Sequence, residues 1–272
     1  MLDSPKCTRE CLAEADCLLI NSGAGMEVDS GLPDFRGNEG FWKAYPPYKH
    51  LGFNFMEMAN PERFVDAPEL GWGFYGHRLN LYRETDPHAG FRKLLEFSKS
   101  LPHESFAFTS NVDGHFERAG FDKNNIVECH GSIRHFQCFR DCQGKIWNAP
   151  PDDIQIDLET MRAVEPLPRC PDCNGLARPN ILMFGDYGWN SARTRAQEKR
   201  YQEWQVRSRD LRVVILEFGA GTAVPTVRYE SEHVLSGFPN STLIRVNPRE
   251  AHGSPGTISI GMGALEMIEA CL

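Results

Sequence analysis

The sequence predicts an α/β fold, a doubly wound, parallel, Rossmann-like sheet with a small zinc-binding module inserted. Short apolar runs such as residues 17–20 alternate with longer segments of helical periodicity at both ends of the chain. This alternation is typical of parallel strands that are covered by helices on both faces. Residues 133–183 break the alternation and contain two close pairs of cysteines. The 272 residues suffice for one large domain with a small appended module.

The composition is that of an ordinary globular protein, with 41% hydrophobic and 24% charged residues. The formal net charge of −8 argues against direct nucleic-acid binding, because neutralising phosphates requires a basic surface. No apolar run approaches the length of a membrane span, and residues 1–4 resemble neither a signal nor a transit peptide. We therefore expect a cytoplasmic protein without membrane contact, whose nine cysteines serve as thiols or metal ligands.

The helices and strands of the first half are predicted from the pattern of apolar residues and from the prolines and glycines that interrupt it. The predicted strands are residues 17–20, 104–109 and Ile126–Glu128. The predicted helices are residues 8–15, residues 61–83 with a break at Pro68, and a helix from Pro87 through Phe97. Residues 31–45 read as a polar loop with aromatics, which is either a mobile lid over a ligand or a surface loop anchored by those aromatics.

The second half continues the alternation. Its predicted elements are a helix at 191–209, strands at 212–218 and Thr242–Val246, and a helix at 263–271. We expect residues 1–132 and 184–272 to form the Rossmann-like domain and residues 133–183 to form the small module. A helical insertion at about 43–85 is expected to pack with that module.

A glycine loop, Gly23-Ala24-Gly25, follows the first predicted strand. Such glycines let the backbone approach a pyrophosphate, towards which backbone amides point. Val28 occupies the position of the third glycine of the usual pattern, and glycine turns of this kind are also common in purely structural loops. The loop alone therefore indicates a nucleotide site only weakly.

The paired cysteines predict a metal site. Cys138 and Cys142 form one close pair, and Cys170 and Cys173 form another. Each pair can occupy two corners of a tetrahedron, as in structural zinc sites without an open coordination position. Disulfides and free thiols are the alternatives, and the lack of a secretion signal favours zinc over both. Four thiolates leave no position for an activated water, so we expect a structural role.

Six motifs in a fixed order resemble those of the sirtuin family, the NAD-dependent protein deacylases. They are Gly23-Ala24-Gly25 with Asp34-Phe35-Arg36, Ser110-Asn111-Val112-Asp113, His130-Gly131, the four cysteines, Arg178-Pro179-Asn180 with Phe184-Gly185-Asp186, and Gly219-Ala220-Gly221 with Asn247. The resemblance extends from about residue 15 to residue 265. A single glycine loop would be unspecific, whereas the ordered set is highly specific.

The resemblance implies an enzyme that transfers an acyl group from protein lysine to ADP-ribose and releases nicotinamide. The implied NAD contacts are Gly23, Ala24, Gly25, Asp34, Phe35, Arg36, Ser110, Asn111, Asp113, Gly219, Gly221 and Asn247. It further implies that Asp113 holds the nicotinamide carboxamide, that Asn111 orients the ribose and a water, and that His130 is the general base on a ribose hydroxyl. An acyl-lysine peptide is expected beside Phe184 and Gly185.

Four residues carry a second interpretation or depart from the family pattern. Without the other motifs, His130 would read as a core histidine bonded to a backbone carbonyl. Tyr75 and Arg78 share a helix face and resemble a pair that some sirtuins use for carboxylate-bearing acyl groups. An ordinary helix face, with Arg78 beside an acidic neighbour, explains that pair equally well. Glu27 stands where the family usually has serine, so its carboxylate must point away from the pyrophosphate or pair with a cation.

Two other functions fit parts of the sequence. An ADP-ribosyltransferase or NAD hydrolase would keep NAD cleavage and change only the acceptor. A non-catalytic NAD-sensing protein would bind without turnover, but the combination of Asn111, Asp113 and His130 argues against it. The retained histidine favours deacylation, because simple hydrolysis has less need of a base on the ribose hydroxyl.

Overall fold

The computed structural model describes residues 4–33 and 37–272. Its strands are β1 (Cys17–Ser22), β2 (Phe106–Thr109), β3 (Ile126–Glu128), β4 (Gly131–Cys138), β5 (Ile146–Asn148), β6 (Ile156–Asp157), β7 (Arg162–Ala163), β8 (Ala177–Ile181), β9 (Val213–Phe218), β10 (Thr242–Val246) and β11 (Ile258–Ile260). Its α-helices are α1 (Ser4–Ala13), α2 (Gly37–Ala44), α3 (Pro46–His50), α4 (Phe55–Met58), α5 (Glu62–Asp66), α6 (Pro68–Glu84), α7 (Ala89–Ser100), α8 (His115–Arg118), α9 (Ala192–Ser208), α10 (Thr226–Gly237) and α11 (Ala264–Cys271). No helix in these two ranges is both long and apolar enough to cross a membrane.

Six parallel strands form the main sheet in the order β11-β10-β9-β1-β2-β3. The chain starts in the middle at β1, moves outward to β3, and later returns to build the other half from β9. The direction of winding therefore reverses between β1 and β9, where open sheets of this kind form a crevice at the carboxyl ends of the strands. The predicted doubly wound parallel sheet is confirmed.

Separate apolar cores cover the two faces of the main sheet. On one face, Leu18 and Ile20 of β1 pack in a cluster with residues of α1, α7 and α11. On the other face, Leu19 packs in a cluster that includes Trp204 of α9 and Val234 of α10. Alternate residues of a strand point to opposite faces, so a strand buried on both faces needs the continuous apolar run seen in β1.

A three-stranded antiparallel sheet, β5-β4-β8, and the β6-β7 hairpin lie outside the main sheet. Helices α2–α6 share one apolar core with this smaller sheet. Trp72 of α6 connects them, because its indole nitrogen donates to the carbonyl oxygen of Ala177 at 2.9 Å and its ring centroid lies 4.9 Å from that of Phe136. The contacts of Trp72 thereby pack helices α2–α6, called the helical segment below, against the β5-β4-β8 sheet.

Most of the predicted helices and strands are present, but their first and last residues differ from those predicted. The break at Pro68 is confirmed, since α5 ends at Asp66 and Pro68 occupies the first turn of α6, where its missing amide hydrogen costs nothing. The loop predicted at 31–45 is wrong in part, because it contains α2, whose Phe41 is fully buried in the core. Helix α10 and the short edge strand β11 were not predicted from the sequence.

Candidate active site

The carboxyl ends of four parallel strands meet at one edge of the main sheet. The register places Ser22, the last residue of β1, beside Phe218 of β9 and beside Thr109 of β2. Thr109 in turn lies beside Glu128, the last residue of β3. The segments that follow these strands hold most of the predicted site residues, so the topology brings them to the crevice.

The two glycine loops of the crevice pack directly on each other. The amide of Gly25 donates to the carbonyl oxygen of Gly219 at 3.1 Å, and Gly219 has a left-handed φ of 61°. A Cβ on Gly219 would lie 2.3 Å from the carbonyl carbon of Gly25, and one on Gly23 would lie 2.9 Å from the Cα of Ala220. Both positions therefore require glycine. The predicted cofactor residues Asp34, Phe35 and Arg36 lie outside the described residues.

Asn247 fixes the loop after β9 through side-chain hydrogen bonds. Its side-chain nitrogen donates to the carbonyl oxygen of Ala220 at 3.0 Å, and its side-chain oxygen accepts from the amides of Arg249 and Glu250 at 3.0 Å each. The residue is 1% exposed. Its side chain is thus occupied in fixing two loops of the crevice.

Asn111 lies where β2 ends, next to the first glycine loop. Its side-chain nitrogen donates to the carbonyl oxygen of Gly23 at 3.1 Å, and its backbone amide donates to the hydroxyl of Thr109 at 3.0 Å. The preceding residue, Ser110, donates its amide to the carbonyl oxygen of Ser22 at 3.1 Å. These bonds fix Asn111 against the loop after β1.

A buried polar cluster adjoins Asn111. Glu27 Oε2 lies 2.5 Å from Nδ1 of His115, and Oδ1 of Asp113 accepts from the amide of His115 at 2.8 Å. Burial, assisted by the charge of Glu27, raises the pKa of Asp113 to about 7. Burial disfavours the charge on His115, but its hydrogen bond to Glu27 and the nearby carboxylates outweigh this and raise the pKa of His115.

The cluster shows how the charge of Glu27 is accommodated, and it contains one residue that the sequence analysis did not single out. Glu27 is paired with a basic group, which is one of the two arrangements expected for an acid in this loop. His115 was not predicted from the sequence. The signal that could have found it was Glu27 itself, because a buried carboxylate requires a partner.

His130 follows β3 at the edge of the main sheet where β1 and β2 also end. Its Nε2 lies 3.4 Å from the hydroxyl of Thr226 at the start of α10, and the residue is partly exposed. Burial lowers the pKa of His130, and a hydrogen bond to the backbone of Ser110 opposes this shift. The ring is therefore neutral at physiological pH and able to accept a proton.

The four paired cysteines come together. Their sulfurs lie within 4.8 Å of one another, with distances of 3.7 Å between Cys138 and Cys173 and 3.6 Å between Cys142 and Cys170. A tetrahedron of thiolates about 2.3 Å from zinc has edges of about 3.8 Å, so the residues fit the ion. Cys138, Cys142, Cys170 and Cys173 form no disulfide in the structure, and the grouping of all four sulfurs favours a metal site.

Tyr75 and Arg78 lie inside the aromatic core of the helical segment. Tyr75 is 1% exposed and stacks on Phe64, and burial raises its pKa to about 12. Arg78 donates from Nε and Nη2 to the hydroxyl of Tyr82 at 3.0 and 2.7 Å. Tyr82 was missed in the sequence, although it lies one helical turn beyond Arg78.

The segment predicted to bind peptide follows β8. The amide of Phe184 donates to the helical segment, and Gly185 has a left-handed φ of 66°. The side chain of Asp186 is buried and forms an ion pair with Arg178, with an Nη1–Oδ1 distance of 2.9 Å. This pair fixes the turn and leaves Tyr187 fully exposed.

Comparison with known proteins gives consistent matches. The family model described as the Sir2 family matches residues 23–213. An NAD-dependent protein deacylase of Thermus thermophilus is 30% identical over 262 residues, covering 95% of this chain and 90% of that protein. NAD-dependent protein deacylase 1 of Archaeoglobus fulgidus is 28% identical over 244 residues, covering 90% and 86%. A solved complex of a mutant Sir2 homologue with ADP ribose aligns with a TM-score of 0.70 at 25% identity, covering 97% of this chain and 93% of that one.

Proposed function

Because the chain belongs to the Sir2 family, we propose that it is an NAD-dependent protein-lysine deacylase. The reaction transfers the acyl group of an acyl-lysine side chain to ADP-ribose and releases nicotinamide. One observation carries the proposal. The glycine loop after β1, Asn111 and the partly exposed His130 each follow a strand that ends at the same edge of the main sheet, and Asn111 bonds directly to the glycine loop.

NAD is proposed to bind across the crevice between β1 and β9. The proposed contacts are Gly23, Ala24, Gly25, Asp34, Phe35, Arg36, Ser110, Asn111, Asp113, Gly219, Gly221 and Asn247. The two glycine loops meet at the carboxyl ends of β1 and β9, where the strand order reverses and open α/β sheets bind ligands, which supports this placement. NAD supplies the glycosidic bond whose cleavage leaves an electrophilic ribose carbon.

His130 is proposed to take the proton of a ribose hydroxyl. Its lowered pKa supports this role, because an imidazole that is neutral at physiological pH can accept a proton. A positioned general base typically contributes about 10²–10⁴-fold to a rate. Asn111 orients the ribose and a water molecule, and Asp113 holds the nicotinamide carboxamide.

The substrate and the metal are assigned to the smaller sheet. An acyl-lysine peptide is proposed to dock beside Phe184 and Gly185, next to the exposed Tyr187. Zinc is proposed to bind the four cysteines and to hold β4 against β8, without taking part in the reaction. Four cysteines arranged as metal ligands suit a reducing compartment, and for this chain we propose the cytoplasm.

The test is to incubate the protein with NAD and a panel of acyl-lysine peptides and to identify the products by mass. The proposal expects O-acyl-ADP-ribose, deacylated peptide and nicotinamide in equal amounts. Free ADP-ribose with unchanged peptide would indicate an NAD hydrolase instead. Covalent addition of ADP-ribose to protein would indicate an ADP-ribosyltransferase.

A further inference from the structure

The buried pair of Glu27 and His115 has no role in the reaction described so far. Glu27 is 4% exposed and His115 is 0% exposed, and they touch through Oε2 and Nδ1 at 2.5 Å. Burying an acid and a base disfavours folding unless each satisfies the other. The pair also lies beside two residues of the proposed site, so its contacts there decide what it does.

Glu27 fixes the orientation of Asn111. The side-chain nitrogen of Asn111 lies 3.5 Å from Oε1 of Glu27 and 3.1 Å from the carbonyl oxygen of Gly23. An amide nitrogen has two hydrogens, and these two acceptors receive both. None of the hydrogen bonds found among the described residues goes to the side-chain oxygen of Asn111. That oxygen is therefore held in one direction and left available as an acceptor.

His115 fixes the carboxylate of Asp113. Its backbone amide donates to Oδ1 of Asp113 at 2.8 Å, while its ring is held by Glu27 on one side and meets the edge of Phe91 at a centroid distance of 6.1 Å. The preceding Gly114 has a left-handed φ of 79°, which turns the chain sharply between the two residues. The backbone at His115 thus holds the carboxylate of Asp113, and the contacts of the ring with Glu27 and Phe91 anchor that stretch of backbone.

A metal ion between these groups is a poorer account of the cluster. Ligand atoms of Glu27, Asp113 and His115 lie within 4.8 Å of one another. However, the contact of 2.5 Å between Oε2 and Nδ1 is a direct hydrogen bond and leaves no space for an ion between those atoms. Glu27 therefore satisfies Nδ1 of His115 without an ion between them, while Nε2 of His115 is buried without a hydrogen-bond partner among the described residues.

We infer that Glu27 and His115 form a positioning pair, which holds the oxygen of Asn111 and the carboxylate of Asp113 in the directions that the NAD-dependent reaction requires. The inference rests on the proposed function. Glu27 and His115 are both buried, and in this inference they act through Asn111 and Asp113. A serine at position 27 would be too short to reach His115. The contact with His115 therefore explains why a glutamate is suited to this position.

Three variants and one control test the pair. Glu27→Gln keeps the size of the side chain and turns an acceptor into a donor that competes with the amide of Asn111. His115→Leu removes the donor to Glu27, whereas His115→Asn places a donor near the former position of Nδ1. Asp16→Asn is the matched control, because it breaks an acid–arginine pair with Arg212 at the opposite end of β1.

If the inference is correct, the variants should change kcat and leave KM unchanged. Glu27→Gln and His115→Leu should lower kcat about 10- to 100-fold, the effect of one lost oriented hydrogen bond, with KM for the acyl peptide unchanged. His115→Asn should recover most of the rate, and Asp16→Asn should keep the wild-type kcat and KM. Unchanged kcat per folded molecule in Glu27→Gln and His115→Leu, with only a lower melting temperature, would overturn the inference.

A spectroscopic measurement separates this inference from the proposed function. In the wild-type protein, the side-chain amide protons of Asn111 should exchange slowly with water, and Glu27→Gln should speed that exchange at least about 10-fold. This readout does not depend on turnover, so it still applies if no peptide is deacylated. Equal exchange rates in wild type and Glu27→Gln would overturn the pair; absence of O-acyl-ADP-ribose with slow exchange would overturn only the reaction.

Discussion

The backbone amide of Gly25 donates a hydrogen bond to the carbonyl oxygen of Gly219 at 3.1 Å. This bond joins the loop after β1 to the loop after β9, although the two loops come from distant parts of the chain. Since a doubly wound sheet opens its crevice between these two strands, the bond fixes the distance between the crevice walls. The proposed NAD site therefore depends on two glycines that meet backbone to backbone.

Gly219→Ala should weaken NAD binding by at least about 10-fold. The new Cβ would lie 2.3 Å from the carbonyl carbon of Gly25, and alanine also disfavours the left-handed φ of 61° by about 1–2 kcal/mol. Titration calorimetry with NAD measures the affinity, and thermal melting measures the loss of stability. Gly237→Ala in α10 is the control, because nothing lies within 4 Å of its Cβ. Equal NAD affinity of both variants would contradict the role of the contact.

Removing zinc should unfold the smaller sheet and abolish deacylation. Strand β4 begins at Gly131, directly after His130, and ends at Cys138, so disorder at the metal site reaches the proposed base along one strand. Cys173→Ser should lower the zinc content and the activity together, as measured by atomic absorption and product mass. Cys7→Ser in α1 should change neither. A stable and active protein without metal would contradict the four-thiolate site.

The sheet could be predicted from the sequence because its strands are buried on both faces. Strands β1 and β9 are buried at every residue, and each begins with four apolar residues in a row, at 17–20 and 213–216. The functional residues follow after those runs. His115 could not be predicted in this way. Its role arises from contact with Glu27, 88 residues earlier in the chain, and no local pattern encodes a contact at that separation. Glu27 in the glycine loop indicated that a basic partner is required, but it did not indicate which residue provides it.

The acid limb of the pH–rate profile should have its midpoint below the ordinary histidine pKa of about 6.5. Burial lowers the pKa of His130, so the folded protein keeps the ring neutral to a lower pH, and deacylation falls only when that ring is protonated. His130→Ala should lower kcat by at least about 10²-fold while zinc content stays unchanged. A midpoint above 6.5, or full activity of the alanine variant, would contradict the assignment of the base.

Asp113→Asn should stabilise the protein at pH 8 while lowering its activity. Burial and Glu27 raise the pKa of Asp113 to about 7, well above the value of about 3.9 expected in the unfolded chain. The folded state then binds more protons than the unfolded state between these values, so the contribution of Asp113 to stability is lost as pH rises through 7. Asparagine keeps the acceptor for the His115 amide and removes the buried charge, and we expect a gain of about 1–3 kcal/mol at pH 8 that shrinks towards pH 4.

Asp16→Asn should behave in the opposite way and serves as the comparison. Hydrogen bonds from Arg212 lower the pKa of Asp16 to about 2, so its ionised form stabilises the folded state at all pH values above the unfolded pKa of about 3.9. That stabilisation is lost as pH falls towards 2, and the asparagine variant should therefore be less stable than wild type at neutral pH. Urea unfolding of both variants at pH 4 and pH 8 measures the two signs. If Asp113→Asn is destabilised at pH 8 as Asp16→Asn is, burial of the Asp113 carboxylate does not disfavour the folded state at that pH, and the expected sign is wrong.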